Sequence, residues 1–336
     1  MFAVGAAVCA GLLVEGFCRV AEPMFDVLRG PFELEDVPEP AGLPPNTEVE
    51  HLEARTTTNA GGYQGAYHPP TRTEDTLRVA VLGDSFTFGW GVEGDEAWPA
   101  LLERRLDGAF GDGGDAEVLN FGVPGYNTWL ALQTWRGRAR EYAPDVVLLG
   151  YYTNDVEIDR RVPNVHRLCP LDGPAGARRW TRLTELSALA RVIDDLRNVR
   201  RFGSSQPTME GPGALAEDHH GFACSMLWAE ELASEVEAAG ARFAVVQLPH
   251  MQDLSDPEDP ERAGQERLAA ALGRREIRSF SLYPGLAGLD PEHVNNVHQH
   301  PNAAGHQAIA AVVWTEAAAW LLEGAPSGQG QPDPGR

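Results

Sequence analysis

The chain contains no lysine, so all 27 of its basic residues are arginines, and 49 acidic residues outnumber them. The formal net charge at pH 7 is −22. A protein this acidic repels a phosphate backbone, which argues against nucleic acid as a partner. No stretch forms a long run of like charge, so we interpret the acidity as that of a solvated surface and the missing lysine as a coding bias of the genome.

Cysteine is scarce, with four residues among 336. No group of cysteine, histidine and acidic residues has the spacing of zinc ligands, so we expect neither a metal nor another cofactor. Cys169 and Cys224 bracket a segment at about 159–221, and in an exported protein they could form a disulfide. Cys9 and Cys18 lie in the apolar N-terminal stretch, and we expect them to be inert or acylated and not paired.

No apolar run reaches the ~20 residues with which a helix crosses a bilayer. Phe2–Val14 is apolar for only thirteen residues, without a basic flank before it or a clear cleavage site after it. Arg19 and Arg29 follow it, which opposes export by the positive-inside rule, although the asymmetry is small. We interpret residues 1–22 as a membrane anchor or an uncleaved signal, and an ordinary helix packed on the domain is the alternative.

The chain is organised around the stretch LRVAVLGDSFTFGWGV, residues 77–92. Its first residues are apolar and rich in β-branched side chains, which predicts a buried strand that ends at Gly83. Ser85 then lies on a tight turn at the carboxyl edge of a sheet, where open α/β folds bind their ligands. Ser85 is therefore the candidate nucleophile. For Gly-Asp-Ser alone, a polar turn that caps the next helix is the alternative.

The remaining sequence alternates strand and helix patterns. Further strands are predicted at 117–122, 146–151, 242–248 and 278–282, and helices at 97–106, 129–142, 183–199, 224–239, 261–272 and 302–322. Strands separated by helices favour parallel pairing with right-handed crossovers. We therefore expect an α/β protein, a three-layer α/β/α sandwich with a mostly parallel, flavodoxin-like sheet.

The predicted organisation has one large domain with loose ends. Residues 1–22 form the apolar segment, 23–75 an extended arm or linker, and 76–323 the catalytic domain. An insert interrupts that domain at about 159–221, and 324–336 form a disordered tail of mostly glycine, proline and glutamine.

Three further blocks follow Ser85: LNFGVPGYNT at 119–128, GYYTND at 150–155 and HPNAAGH at 300–306. In order and approximate spacing they match the blocks of the SGNH (GDSL-type) hydrolase family, which the chain resembles from about Asn59 to Leu322 outside the insert. GGYQGAYHPP and YAPDVVLLGYYTND are typical of a bacterial branch that often carries an N-terminal membrane anchor. The resemblance thus implies the SGNH hydrolase fold and a membrane-anchored or exported protein of the bacterial cell envelope.

The same resemblance implies a serine esterase or acylhydrolase that works through an acyl-enzyme. Ser85 would be the nucleophile and His300 the base that accepts its proton. The oxyanion hole would consist of the backbone N–H groups of Ser85 and Gly125 and the side-chain amide of Asn154. Asn302 is the expected N-cap of the helix that follows His300.

The chain departs from the family at the last block. The family has Asp-x-x-His, with an aspartate that holds the histidine in its active tautomer, whereas Val297 stands three residues before His300. The nearest preceding carboxylates belong to Glu292 and Asp290, and they would reach the ring only if the loop bulges.

Two other arrangements stay open at this block. Asn295, Asn296 or a backbone carbonyl could orient His300 and leave a Ser–His dyad. Alternatively, His298 is the base, with Asn295 at the place of the aspartate, and HPNAAGH is structural. A loss of activity would also fit.

Two residues are candidates for the walls of the cleft. Tyr152 replaces the glycine of the GxND block and would narrow it, and His250 follows a predicted strand at the ligand edge.

The predicted function is ester hydrolysis on a small-molecule, lipid or acylated glycan substrate, with the membrane as a partner of the N-terminal segment. The alternatives are an O-acyltransferase on envelope glycans that uses the same residues, and a lapsed enzyme that only binds carbohydrate or lipid.

Overall fold

The computed structural model describes residues 14–19, 42–52, 54–71, 76–110, 115–156, 187, 189, 215, 220–251, 254, 260–296 and 299–323. The chain divides into two compact units. One comprises Met1–Asp36 and Ile158–Thr208, and the other comprises Val37–Glu157 and Met209–Arg336. From Val37 onward, the segment predicted as an arm therefore belongs to the same unit as the sheet.

The first unit is described at residues 14–19, Ser187 and Leu189. Residues 14–19 are helical, and the Glu15 carboxylate accepts hydrogen bonds from Ser187 Oγ at 2.7 Å and from the Leu189 N–H at 3.2 Å. Cys18 is a buried free thiol. The rest of the helix predicted at 183–199, and the tail at 324–336, lie outside the described residues. Within the described part of the chain, no helix is long and apolar enough to cross a membrane.

A five-stranded parallel sheet forms the centre of the second unit. Its strands are β3 (Thr76–Gly83), β4 (Asp115–Gly122), β5 (Val146–Tyr151), β6 (Arg242–Gln247) and β7 (Ser279–Ser281), in the order β4-β3-β5-β6-β7. All four neighbouring pairs are parallel. From β3 the chain passes to β4 on one side and then to β5 on the other side of β3. Because these strands are parallel, their carboxyl ends lie at one edge of the sheet.

Apolar side chains alternate between the two faces of this sheet, and each face has its own core. In β3, Val79 and Val81 belong to one buried cluster, whereas Ala80 and Leu82 belong to the other. Every residue of β3 and β5 is buried, and apart from Thr76 and Arg78 in β3 these strands consist of apolar residues and glycine. The α/β fold class predicted from the sequence is confirmed.

Helices cover both faces of the sheet. They are α1 (Ser85–Phe88), α2 (Trp98–Phe110), α3 (Thr128–Gly137), α4 (His220–Ala238), α5 (Pro260–Gly273), α6 (Tyr283–Leu286), α7 (Pro291–Val294) and α8 (Ala303–Leu321), with 3₁₀ turns at Ala139–Tyr142 and Thr153–Val156. The single helix predicted at 129–142 is instead two elements. Arg138, at φ −142°, ends α3, and Ala143, in the left-handed region, ends the following 3₁₀ turn.

An antiparallel hairpin, β1 (Glu48–His51) and β2 (Ala54–Thr57), lies in the segment that was predicted as an extended arm. Farther along this segment, Tyr63 is buried against the rings of Phe121 and Tyr142, at centroid distances of 5.0 and 5.4 Å. Around Tyr63 this segment is therefore packed on the sheet domain.

Cys224 lies in α4 and is disulfide-bonded. Its predicted partner, Cys169, lies outside the described residues, so this pairing stays a prediction.

Candidate active site

Ser85 is the first residue of α1, directly beyond the end of β3. Gly83 makes this turn possible, because a Cβ atom there would lie 2.9 Å from the Gly150 carbonyl oxygen of the adjacent strand. Asp84 is the N-cap, and its Oδ1 accepts a hydrogen bond from the Phe86 N–H at 2.9 Å. The turn thus both caps a helix and places the serine at the carboxyl edge of the sheet.

His300 lies in the loop between α7 and α8. The backbone N–H of Asn296 donates to the His300 carbonyl at 2.8 Å, and the His300 N–H donates to Asn296 Oδ1 at 3.2 Å. Asn302 caps α8, as predicted, because its Oδ1 accepts from the Gly305 N–H at 3.0 Å. The loop is therefore held on both sides of the histidine.

The turn after β3 and the loop before α8 bring the side chains of Ser85 and His300 together. Ser85 Oγ lies 2.9 Å from His300 Nε2, although the residues are 215 positions apart in the sequence. Ser85 is 8% exposed and His300 is partly buried. A hydroxyl hydrogen-bonded to an imidazole nitrogen is the arrangement that turns a weak nucleophile into a strong one.

Asn154 faces the same turn from the end of β5. Its Nδ2 donates a hydrogen bond to Asp84 Oδ2 at 2.8 Å. Because a carboxylate only accepts hydrogen bonds, Asp84 fixes which way the amide points. The opposite end of the amide, Asn154 Oδ1, is buried without a hydrogen-bond partner.

Two buried carboxylates, Asp84 and Asp155, lie behind the site. Burial raises the pKa of Asp84 to about 6. Burial, and then the charge of Asp84, raises the pKa of Asp155 well above its ordinary value. Asp155 accepts hydrogen bonds from Thr128 Oγ1 at 2.7 Å and from the Tyr152 N–H at 2.8 Å. These contacts tie the loop after β5 to the start of α3.

Gly125 lies in the loop between β4 and α3, partly buried and at φ +78°, a conformation that favours glycine. In the same loop the Val123 N–H donates to the Gly83 carbonyl at 3.0 Å. The loop that carries Gly125 is thereby fastened to the end of β3, next to Ser85.

The residues predicted to orient His300 make different contacts in the structure. Asn296 contacts the backbone of His300, whereas Asn295 Nδ2 donates to the Met251 carbonyl at 2.8 Å. Asp290 caps α7, and Glu292 is exposed on that short helix. Val297 and the alternative base His298 lie outside the described residues.

A row of aromatic rings borders the histidine. The ring of Phe86 lies 5.1 Å from that of His300 and stacks on Tyr152 at 3.9 Å. Tyr152 in turn stacks on His250 at 6.2 Å. Tyr152 and His250, the two residues considered for the walls of the cleft, thus belong to one stack with Phe86. Spacing alone could not reveal this stack, because its members come from three separate parts of the chain.

The second histidine of HPNAAGH has a different environment. His306 is fully buried in the first turn of α8, and its Nδ1 accepts a hydrogen bond from the Trp98 N–H at 3.3 Å. Burial, and then the proximity of His300, lowers the pKa of His306 to about 3. This imidazole is therefore neutral and joins α8 to α2.

Several solved structures are similar to this chain at low sequence identity. Among solved structures, TesA has a TM-score of 0.45 and 16% identity over 74% of this chain and 99% of TesA. The esterase EstA from Pseudoalteromonas sp. has a TM-score of 0.43 and 16% identity over 74% of this chain and 99% of EstA. A two-domain esterase (CEX) active on acetylated mannans has a TM-score of 0.44 and 15% identity over 78% of this chain and 53% of that chain. No curated protein matches the sequence significantly.

The sequence model of the GDSL-like lipase/acylhydrolase family matches residues 81–308. This match covers more than half of the chain and runs from the middle of β3, before Ser85, to the first turns of α8, beyond His300. The chain therefore belongs to the GDSL-like lipase/acylhydrolase family and is a carboxylic ester hydrolase.

Proposed function

We propose that this hydrolase cleaves acyl esters through an acyl-enzyme formed on Ser85, with His300 as the general base. The observation that carries the proposal is the 2.9 Å distance between Ser85 Oγ and His300 Nε2 at the carboxyl edge of the sheet. An imidazole suits this task because its pKa lies near neutrality, so that it both accepts and returns a proton.

The reaction proceeds in two halves. In the first, Ser85 Oγ attacks the ester carbonyl while Nε2 of His300 takes the hydroxyl proton. The tetrahedral intermediate then expels the alcohol, which receives that proton, and the acyl group remains on Oγ. In the second half, His300 takes a proton from water, the hydroxide attacks the acyl-enzyme, and the carboxylic acid leaves as Oγ is reprotonated.

Stabilisation of the oxyanion is assigned to the N–H groups of Ser85 and Gly125 and to Asn154 Nδ2. The amide nitrogen of Asn154 carries two N–H groups; Asp84 accepts one, which leaves the second for the oxyanion. Each such donor contributes ~3–4 kcal/mol to transition-state stabilisation when it is fixed in advance. Asp84 therefore acts as a positioning residue for Asn154.

The sequence has Val297 where the family has the aspartate that orients the histidine. We assign the orientation of His300 to the loop that carries it. The two hydrogen bonds between the backbone of His300 and Asn296 hold the residue, and the ring of Phe86 lies beside the imidazole. These contacts support orientation of His300 by its own loop.

We further propose that the substrate is a small-molecule, lipid or acylated glycan ester and that the protein is exported or anchored in the bacterial envelope. The apolar residues 1–22 support this location, and so does the disulfide at Cys224, because disulfides persist in oxidising compartments.

A fluorophosphonate probe tests the nucleophile directly. Wild-type protein should be labelled, and mass spectrometry should place the adduct on Ser85. Ser85→Ala should lose both labelling and turnover of p-nitrophenyl acetate with little change in Tm. Ser279→Ala is the matched control, because Ser279 lies on β7 and accepts a hydrogen bond from Gln247, away from His300. An adduct on another residue, or full activity of Ser85→Ala, would contradict the proposal.

A further inference from the structure

A cavity of about 470 Å³ lies between the β1–β2 hairpin, α2 and β4. Its volume falls within the range of small-molecule sites. Neither Ser85 nor His300 lines it, and neither does Gly125 or Asn154. The cavity is therefore distinct from the site proposed for ester hydrolysis.

The side chain of Gln64 forms the unusual part of this cavity. Gln64 is 1% exposed, yet neither Nε2 nor Oε1 of its amide has a hydrogen-bond partner. The backbone is fixed, because the Gln64 N–H donates to the Asn120 carbonyl at 3.1 Å. A buried amide that lacks both partners destabilises the folded chain, so a polar group bound beside this amide would stabilise the protein.

The other lining groups define what that occupant can be. Thr56 and Asn120 are buried polar residues, and the amide of Asn120 is engaged with the Thr87 carbonyl and the Gly122 N–H. Two arginines and three carboxylates line the cavity as well, so their charges nearly cancel; they are Arg55, Arg104, Glu93, Asp95 and Glu103. Val118 is the largest apolar side chain of the lining, and no aromatic ring contributes. An acyl chain would find no aromatic or large aliphatic side chain here, and for an anion the three carboxylates offset the two arginines.

We propose that this cavity binds a neutral, hydroxyl-rich ligand, namely a saccharide unit, through the amide of Gln64. A sugar hydroxyl both donates and accepts, so one or two hydroxyls satisfy the Oε1 and Nε2 of a single amide. Gly94 keeps the space beside Oε1 open, because a Cβ atom at this position would lie 3.4 Å from that oxygen.

The test is ligand-observed NMR with titration calorimetry on the full-length Ser85→Ala protein. The probes are the methyl glycosides of glucose, galactose and mannose, with inorganic phosphate and 1-hexanol as comparators. At least one glycoside should bind, and Gln64→Leu should weaken its binding by about tenfold or more, because the ligand loses its hydrogen bonds to the amide. Ala100→Phe, on the α2 wall of the cavity, should abolish binding by filling the space.

Gln265→Leu is the matched control. Gln265 is also a buried glutamine, but it lies in α5, donates to the Leu248 carbonyl at 3.3 Å and does not line the cavity. This variant should bind the glycoside as the parent does.

The proposal is overturned if no glycoside binds, if phosphate or hexanol binds in preference, or if the affinity survives either Gln64→Leu or Ala100→Phe. Should Gln64→Leu fail to fold, Ala100→Phe decides alone. Because the parent protein lacks the nucleophile, none of these results depends on the ester chemistry proposed for Ser85.

Discussion

At the scale of single residues, the turn Gly83-Asp84-Ser85 combines two features that the sequence presents as alternatives. These are a helix cap and the serine proposed as the nucleophile. Asp84 caps α1 through Oδ1, as a polar turn would. Its other oxygen accepts the amide of Asn154, and the next residue, Ser85, faces His300. The helix cap and the proposed catalytic role are compatible here because the Asp84 carboxylate has two oxygens, of which one accepts from Phe86 and the other from Asn154.

The assignment of the base is tested by comparing two histidines. His300→Ala should reduce kcat for p-nitrophenyl acetate by ~10⁴-fold or more, because Ser85 loses the group that accepts its proton. His298→Ala should have a far smaller effect, and Tm of both variants provides the check on folding. If the variants lose activity in the reverse order, His298 is the base.

The positioning role of Asp84 is tested with Asp84→Asn. Asparagine can still cap α1 through Oδ1, but it then turns an N–H group toward the N–H group of Asn154. The amide of Asn154 should lose its fixed orientation, and kcat should fall by ~10–100-fold, with KM little changed.

A double-mutant cycle separates this role from general destabilisation. Asn154→Ala alone should cost ~10²–10³ in kcat, and Asp84→Asn should add little in the Asn154→Ala background. Fully additive losses would show that Asp84 acts on something other than Asn154.

At the scale of the elements, segments with a clear hydrophobic pattern were predicted close to their observed bounds, because burial determines which positions in the sequence are apolar. The strand predicted at 146–151 has those bounds in the structure, and the helix predicted at 261–272 is longer by one residue at each end. The β1–β2 hairpin gives no such signal. The residues that β2 buries are Ala54 and Thr56, which are small or polar, and they alternate with exposed Arg55 and Thr57. The turn of the hairpin contains Leu52 at φ +57°. Glycine or asparagine is the usual residue in this left-handed conformation, so leucine gives no indication of a turn.

The contact between α2 and α8 should make stability depend on pH through His306. An unfolded histidine binds a proton below its ordinary pKa of about 6.5, whereas folded His306 stays neutral down to about 3. The unfolded state therefore binds more protons in this window, and the free energy of unfolding decreases as the pH falls through it. Between pH 8 and pH 5 this loss amounts to about 2 kcal/mol.

Urea unfolding of wild type and His306→Gln at the two pH values measures this effect, and glutamine keeps an acceptor for the Trp98 N–H. The pKa of Asp84, raised to about 6, acts in the opposite sense, because the folded state then binds the extra proton. The difference between the two proteins removes that contribution. His293→Gln, which changes an exposed histidine of α7, is the control. An equal pH dependence in wild type and His306→Gln would contradict the prediction.

At the scale of the whole molecule, topology explains why residues so far apart in the sequence form one site. Parallel strands joined by helices return every carboxyl end to the same edge, which agrees with the grouping of Ser85, Gly125 and Asn154 that the family resemblance implies. The link from Asp84 to Asn154 and the lack of a hydrogen-bond partner for the Gln64 amide were not predictable. Both depend on where loops of different strands come to rest, which no local pattern encodes.

The disulfide at Cys224 gives the last prediction, which concerns stability of the full chain. If its partner is Cys169, as the sequence suggests, the bond closes a loop around most of the insert at about 159–221. Such a cross-link restricts the unfolded chain, and reduction should lower the free energy of unfolding by about 2–4 kcal/mol.

Peptide mapping under non-reducing conditions identifies the pair, and Tm is then measured with and without reductant. Cys169→Ser and Cys224→Ser should each lower Tm to the value of the reduced wild type and should no longer respond to reductant. Cys18→Ser is the control, because this thiol is free and buried, so the variant should keep the response. A peptide that joins Cys224 to Cys9, or a Cys169→Ser variant that still loses stability on reduction, would exclude the predicted pair.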